Sequence, residues 1–197
     1  MDPDLPLIRA LRAGDDSALA DLIRRHQEPL LHFVYRYLRN EAAARDVVQE
    51  TFVRTYFKAS KFEPRAAVRT WIYAIAVNLC RDEVRRRARR GSEVSVDELA
   101  GNERAPPVLT DPNPLPNEMA GRRDQFSALQ AAIEELPRPL REALVLFALD
   151  ERSQKEAAEI LGTTPKTVEL RVYHAKSRLR QMLGGVLDTT GRDTEAG

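Results

Sequence analysis

Residue types that define several common protein classes are scarce in this chain of 197 residues. The single cysteine, Cys80, excludes an internal disulfide and a zinc site built from several cysteines. Apolar runs are short: the two longest, 71–77 and 143–149, are far shorter than a membrane span requires. The N-terminus is acidic and lacks a hydrophobic signal core. We therefore expect a cytoplasmic protein with no direct membrane insertion.

Net charge is also nearly absent, at +1, but this value results from a cancellation. Residues 1–91 contain 18 basic and 12 acidic side chains, residues 92–124 contain 3 and 7, and residues 125–197 contain 10 and 11. The chain thus has a basic first half and an acidic middle. Its total charge does not exclude binding to a nucleic acid.

Signals for β-structure are weak, because aromatic residues are few and hairpin turn dipeptides are absent. Apolar periodicity instead predicts two sets of helices. The first set lies at 5–13, 16–39, 41–59 and 66–90, and the second at 122–135, 138–149, 153–161 and 165–183. Between the sets, residues 101–117 contain five prolines, which disfavour helix.

We therefore predict an all-α fold of two small helical domains joined by a flexible linker. The predicted segments are a first domain at 1–90, a proline-rich acidic linker at 91–119, a second domain at 120–184 and a disordered tail at 185–197.

Two adjacent helices in the second domain show paired start and stop signals. Ser153 and Glu156 fit a capping box, and Gly162 supplies a turn. Thr164 and Pro165 then start the next helix as N-cap and first residue. This spacing predicts a helix-turn-helix.

The second helix of this motif has an apolar stripe, about 60° wide, that is predicted to face the core. The stripe comprises Val168, Val172, Ala175 and Leu179. A second band, centred about 100° away, comprises Thr167, Arg171, His174 and Arg178. In a DNA-binding module the first turns of such a helix enter the major groove. A plain helical hairpin with a solvated basic face stays open as the alternative.

The helix at 66–90 also divides into two faces. Its predicted core stripe is Val68, Ile72, Ile75 and Leu79, and its opposite face carries Trp71, Ala74, Asn78, Arg81 and Arg85. An aromatic ring beside Asn and Arg side chains suits stacking on, and gripping of, nucleic acid. The alternative is that Trp71 packs on a neighbouring helix and the arginines form a solvated helix end.

The loop before this helix mixes basic residues with Phe62, which favours contact with unstacked bases. An ordinary core position for Phe62 is equally open.

The helix at 41–59 presents a different surface. Asp46 and Glu50 lie one turn apart beside Val53 and Phe57, a pattern typical of a protein contact surface. A separate group is predicted to face inward: Val48, Phe52 and Tyr56. No nucleophile, metal cluster or phosphate-binding glycine loop accompanies the carboxylates, so we reject an acid–base pair. We expect no enzymatic activity, no cofactor and no metal, His174 included.

Three segments together resemble the extracytoplasmic-function (ECF) sigma factors of bacterial RNA polymerase. Residues 43–62 resemble the family's polymerase-binding and loop region, 68–89 its −10 element helix, and 136–179 its −35 element domain. The resemblance implies a promoter-specificity subunit that binds the β and β′ subunits of core polymerase and promoter DNA. It also implies control by an anti-sigma factor, which in this family is often membrane-bound and could hold the chain at the membrane.

The resemblance also implies roles for individual residues. Those that would dock on the β′ clamp helices are Asp46, Gln49 and Glu50. Those that would contact the −10 element are Lys61, Phe62, Arg65, Arg69, Trp71, Asn78, Arg81 and Arg85. Among these, Phe62 and Asn78 match positions near a pocket for a flipped base, and Trp71 matches an aromatic beside the melting point.

Residues of the second domain would contact the −35 element: Thr163, Thr164, Lys166, Thr167, Glu169, Leu170, Arg171, His174 and Lys176. Glu169, Leu170, His174 and Lys176 depart from the residue types frequent in the family. Two other functions stay open: a free-standing helix-turn-helix repressor or activator, and an adaptor that binds RNA or protein. The Asp46 and Glu50 surface and the Trp71 face favour the sigma-factor interpretation, since a repressor needs neither.

Overall fold

The computed structural model of the chain describes residues 2–93 and 127–190. Within these ranges it is helical and contains no strand, which confirms the predicted all-α fold. The helices of the first half are α1 (Leu5–Arg12), α2 (Ser17–Leu38), α3 (Glu41–Lys58) and α4 (Val68–Glu93). Those of the second half are α5 (described over 127–134), α6 (Arg138–Leu144), α7 (Gln154–Leu161) and α8 (Pro165–Thr190). The predicted linker lies outside the described residues except for 91–93.

The corner between α2 and α3 is formed by two residues. Arg39 ends α2 in the left-handed conformation, with φ of 54°. Asn40 then caps α3, because its side-chain oxygen accepts a hydrogen bond from the Ala43 amide at 2.9 Å. This turn folds α3 back against α2.

The core of the first half lies where α1, α2, α3 and α4 meet. Phe33 and Tyr37 of α2 and Tyr73 of α4 are almost completely buried there, and the Phe33 and Tyr73 ring centroids are 5.2 Å apart. Ile8 and Leu11 attach α1 to the same core. The four helices therefore form one packed unit.

The second half contains the predicted helix-turn-helix. Ser153 and Glu156 form the predicted capping box, and Gly162 ends α7 in the left-handed conformation, with φ of 64°. The Thr164 hydroxyl accepts a hydrogen bond from the Thr167 amide at 3.2 Å at the start of α8. The predicted core stripe of α8 is buried throughout, from Val168 to Leu179. Each local signal of this motif is thus confirmed.

The two halves share a core. The π-helical turn Val145–Leu149, which continues α6, packs on α2, and α7 packs on α4. Helix α4 is buried on more than the one side that its apolar stripe predicts, because Tyr73, Ala76 and Cys80 are buried as well. Burial raises the pKa of the Cys80 thiol well above its usual value.

Two helices end later than predicted. Helix α4 continues to Glu93, and α8 continues to Thr190 instead of ending at 183. Gly184 does not take the left-handed conformation that terminates α7 at Gly162. Without that cap, nothing at Gly184 stops the hydrogen-bond ladder of α8.

Candidate nucleic-acid and polymerase interfaces

Helix α3 presents a mixed acidic and apolar surface, which we name the α3 patch: Asp46, Gln49, Glu50, Val53 and Phe57. Asp46 and Gln49 are exposed, and Phe57 is 73% exposed. The Glu50 carboxylate pairs with Arg54 one turn along the helix, at 2.7 Å. A large apolar side chain this exposed beside carboxylates is available to another protein.

The inward position predicted for Tyr56 is wrong. Val48 and Phe52 are buried, but Tyr56 is exposed, and its hydroxyl donates to the Asp16 carboxylate at 2.8 Å. This hydrogen bond raises the Tyr56 pKa. The cause is geometric, since residues four apart on a helix are offset by about 40°, so a run of i+4 steps turns away from the core.

The loop between α3 and α4 combines a buried anchor with exposed basic side chains. Phe62 is 4% exposed, and its ring centroid lies 5.0 Å from that of the half-buried Trp71. Phe62 therefore takes the core position that the sequence left open, and Trp71 packs its ring on this loop residue. Lys61 and Arg65 are exposed on the loop.

Two arginines of α4 contact carboxylates of the second half. Arg69 pairs with Glu156 of α7. Arg81 donates to both carboxylate oxygens of Glu142 of α6, at 2.9 and 2.8 Å. Glu142 is only 3% exposed, and its Oε1 also accepts a hydrogen bond from the Tyr37 hydroxyl at 2.8 Å.

These contacts shift the ionisation of the groups involved. Burial, together with the adjacent Glu142 carboxylate, raises the Tyr37 pKa far above its ordinary value. Burial alone would raise the Glu156 pKa, but hydrogen bonds from the Ser153 backbone and from Arg69 outweigh it and lower the pKa. Arg69 therefore helps to hold the Glu156 carboxylate in its charged form.

The sequence did not reveal this role for Glu142 and Glu156. Glu156 was identified only as part of a capping box. Its carboxylate completes that capping box and also pairs with Arg69. A groove of about 560 Å³ runs beside this contact, between residues 64–70 and α7.

Of the other residues expected on the α4 face, Asn78 and Arg85 are exposed, and Arg85 pairs with Asp82 on its own helix.

The start of α8 and the turn before it expose most of the residues expected at the −35 element. Exposed side chains are Thr164, Lys166, Glu169, Leu170, His174 and Lys176, whereas Thr163, Thr167 and Arg171 are partly covered. Lys166 and Glu169 form an ion pair of 3.0 Å. Tyr173, which sequence analysis did not single out, is 65% exposed and packs its ring edge against His174.

Neither a metal centre nor a membrane span is found in residues 2–93 and 127–190. No group of three or more His, Cys, Asp or Glu side chains there could hold a metal ion. No helix in the same ranges is long and apolar enough to cross a membrane.

Comparison with known proteins assigns each half of the chain to a region of the Sigma-70 family. Residues 22–90 match the Sigma-70 region 2 family, and residues 126–179 match Sigma-70 region 4. The chain is 31% identical over 180 residues to the ECF RNA polymerase sigma factor SigW of Bacillus subtilis, with 89% of this chain and 94% of SigW covered. It is 31% identical over 182 residues to the sigma factor CnrH of Cupriavidus metallidurans, with 92% and 95% covered.

A solved structure shares the fold and the family. The structure of CnrH in complex with the cytosolic domain of CnrY matches with a TM-score of 0.66 at 25% identity, covering 92% of this chain and 97% of that chain. The protein is therefore a sigma factor, a non-enzymatic subunit that binds core RNA polymerase and promoter DNA in transcription initiation. Within that class it belongs to the ECF sigma factors of the sigma-70 family.

Proposed function

We propose that three surfaces divide the work of this sigma factor. The α3 patch, through Asp46, Gln49 and Glu50, docks on the β′ clamp helices. The loop before α4 and the α4 face from Arg69 to Arg85 bind the −10 element as a single strand. The exposed start of α8 reads the −35 element as a duplex. The first two surfaces belong to a domain at 1–90, and the third belongs to a domain at 120–184.

The observation that carries this proposal is the pairing of Arg69 with Glu156 and of Arg81 with Glu142. Both arginines are among the residues expected to contact the −10 element, and each pairs with an anionic side chain. A phosphate offers the same charge and the same acceptor oxygens as a carboxylate. It follows that the second half must move off α4 before a promoter strand can reach Arg81.

The test of the overall function is transcription by the purified chain mixed with core polymerase, on genomic fragments. We expect initiation at discrete promoters that requires both components. Binding to duplex DNA in the absence of core, without any promoter-dependent transcript, would instead indicate a free-standing repressor.

The melting role is tested by Trp71→Ala. Because Trp71 lies on α4 and not on the α3 patch, we expect the variant to bind core polymerase normally but to open promoters less. Permanganate reactivity of unpaired thymines measures opening. Full opening by Trp71→Ala would contradict the role, and Tyr35→Ala, a partly buried aromatic position on α2, controls for the loss of a ring.

We also propose control by an anti-sigma factor that binds this chain in the cytoplasm. The solved relative CnrH is in complex with the cytosolic domain of CnrY. A partner that stabilises the contact of α6 and α7 with α4 would keep Arg69 and Arg81 occupied. Its membrane attachment would hold the sigma factor at the membrane, and co-purification from a membrane fraction after crosslinking tests this arrangement.

A further inference from the structure

The segment at the N-terminus contacts both ends of the loop that joins α3 to α4. At the first end, Arg12 of α1 donates from Nε to the Ala59 carbonyl at 2.7 Å and from Nη2 to the Phe62 carbonyl. At the second end, the Asp2 carboxylate accepts a hydrogen bond from the Val68 amide at 2.6 Å. Residues 59–67 are thus held between two side chains from outside the loop.

The end of the loop that leads into α4 has no local side chain that could make its contact. Ala66 and Ala67 precede α4 and have no side-chain acceptor, so the first amide of the helix is capped by Asp2 instead. The negative charge of Asp2 is also favourable at a helix N-terminus. At the other end, a guanidinium group is well suited to two carbonyls, because its donors form a fixed fork.

Helix α1 is itself firmly attached to α2. Asp4 is buried and accepts from His26 Nε2 and from Arg25 Nη1, both at 2.8 Å. Ile8 and Leu11 are buried in the common core. Contacts made by Asp2 and Arg12 therefore connect the loop to the rigid part of the fold.

We propose that Arg12 and Asp2 are positioning residues that hold residues 59–67 in the shape that reads the −10 strand. The inference rests on the proposed −10 role of this loop, which carries Lys61, Phe62 and Arg65. Both positioning residues lie before residue 22, where the match to region 2 begins. A pocket for an unstacked base must be formed in advance, since ordering a free loop on binding would consume the energy that favours the correct base.

The test uses the full chain with core polymerase on a promoter selected from genomic fragments. A second template carries one base substitution in the −10 element. The ratio of initiation rates on the two templates measures base discrimination. Arg12→Ala removes both hydrogen bonds to the loop, and we expect it to lower this ratio by about fivefold, whereas Arg12→Lys should retain part of it. Arg9→Ala is the control, because Arg9 is an exposed arginine on the same helix with no side-chain hydrogen bond to the described residues.

Base discrimination separates positioning from mere stability. A poorly folded variant lowers the active fraction on both templates equally and leaves the ratio unchanged, a result that would overturn the proposal. Amide hydrogen exchange gives a second readout. The Phe62 amide donates to the Ala59 carbonyl that Arg12 also contacts, so we expect it to exchange faster in Arg12→Ala. We expect faster exchange at Val68 in Asp2→Ala, whereas Asp2→Asn keeps a cap oxygen and protects Val68. Unaltered exchange in the alanine variants would equally overturn the proposal.

The variant Lys61→Ala/Arg65→Ala distinguishes this inference from the proposal on which it rests. If this variant initiates more slowly on both templates and Arg12→Ala keeps the ratio of the unaltered chain, the positioning role is wrong and the −10 role of the loop stands. If Lys61→Ala/Arg65→Ala initiates as fast as the unaltered chain on both templates, the −10 role of the loop is wrong, and the positioning role falls with it.

Discussion

At the scale of single residues, exposure distinguishes the side chains that serve binding from those that serve folding. Phe57 and Phe62 lie five residues apart, yet Phe57 is almost fully exposed and Phe62 is buried against Trp71. The sequence pattern predicted the exposure of Phe57 correctly and left Phe62 undecided. A helix face can be calculated from spacing, whereas the position of a loop residue depends on what packs against it.

Phe57→Ser is expected to weaken binding to core polymerase by about tenfold or more, because exposed aromatic anchors contribute strongly to interfaces. The free energy of unfolding should change by less than about 0.5 kcal/mol, as for other surface positions. Fluorescence anisotropy of labelled sigma factor with core polymerase measures the affinity. Glu41→Gln, at an exposed position at the start of α3, is the control. Unchanged affinity in Phe57→Ser would show that the α3 patch does not bind core.

At the scale of elements, the helix-turn-helix was the part best predicted from sequence. Its capping box, its glycine turn and its N-cap threonine act over three or four residues, so local patterns contain all of the information. The end of α8 was predicted poorly, because a glycine terminates a helix only where the chain turns to a left-handed conformation.

Alanine at Gly162 and alanine at Gly184 should act in opposite directions. Gly162→Ala places a side chain at φ of 64° and is expected to lower the free energy of unfolding by about 1 kcal/mol. Gly184→Ala lies in α8 with open space around it and should raise that free energy by about 0.5–1 kcal/mol. Urea denaturation of both variants checks the pair. Equal effects of the two substitutions would contradict the difference in backbone conformation.

A second prediction at the scale of elements concerns the exposed start of α8. A carboxylate accepts from the amino group of cytosine, whereas a lysine binds phosphate without regard to sequence. Glu169→Gln should therefore change the base preference at one −35 position. Lys166→Ala should weaken binding to all duplexes and reduce the slope of log affinity against log salt by about 1. Selection from a randomised −35 library measures the base preference, and salt titration of duplex binding measures the slope. A loss of affinity in Glu169→Gln that is equal for all sequences would exclude base reading.

At the scale of the whole molecule, the sequence predicted two helical halves but not their contact. Arg81 and Glu142 lie 61 residues apart, and nothing in the periodicity of α4 indicates that this contact would form. Nor does a helical wheel show that the arginines expected on promoter DNA already have carboxylate partners. The −10 role proposed for these arginines requires that this closed arrangement be exchanged for an open one when DNA binds.

Neutralising the two carboxylates should shift the free chain toward the open arrangement. In Glu142→Gln/Glu156→Gln, Arg69 and Arg81 lose their charged partners, so closure becomes weaker while the DNA-facing arginines remain. We expect a larger radius of gyration in small-angle scattering and about tenfold tighter binding of a labelled single-stranded 20-mer of random sequence, since a competing state is removed. Glu135→Gln/Glu151→Gln removes the same charge at exposed positions that form no ion pair with the described residues. If both double variants bind the strand equally well, net charge alone accounts for the gain, and closure does not compete with DNA.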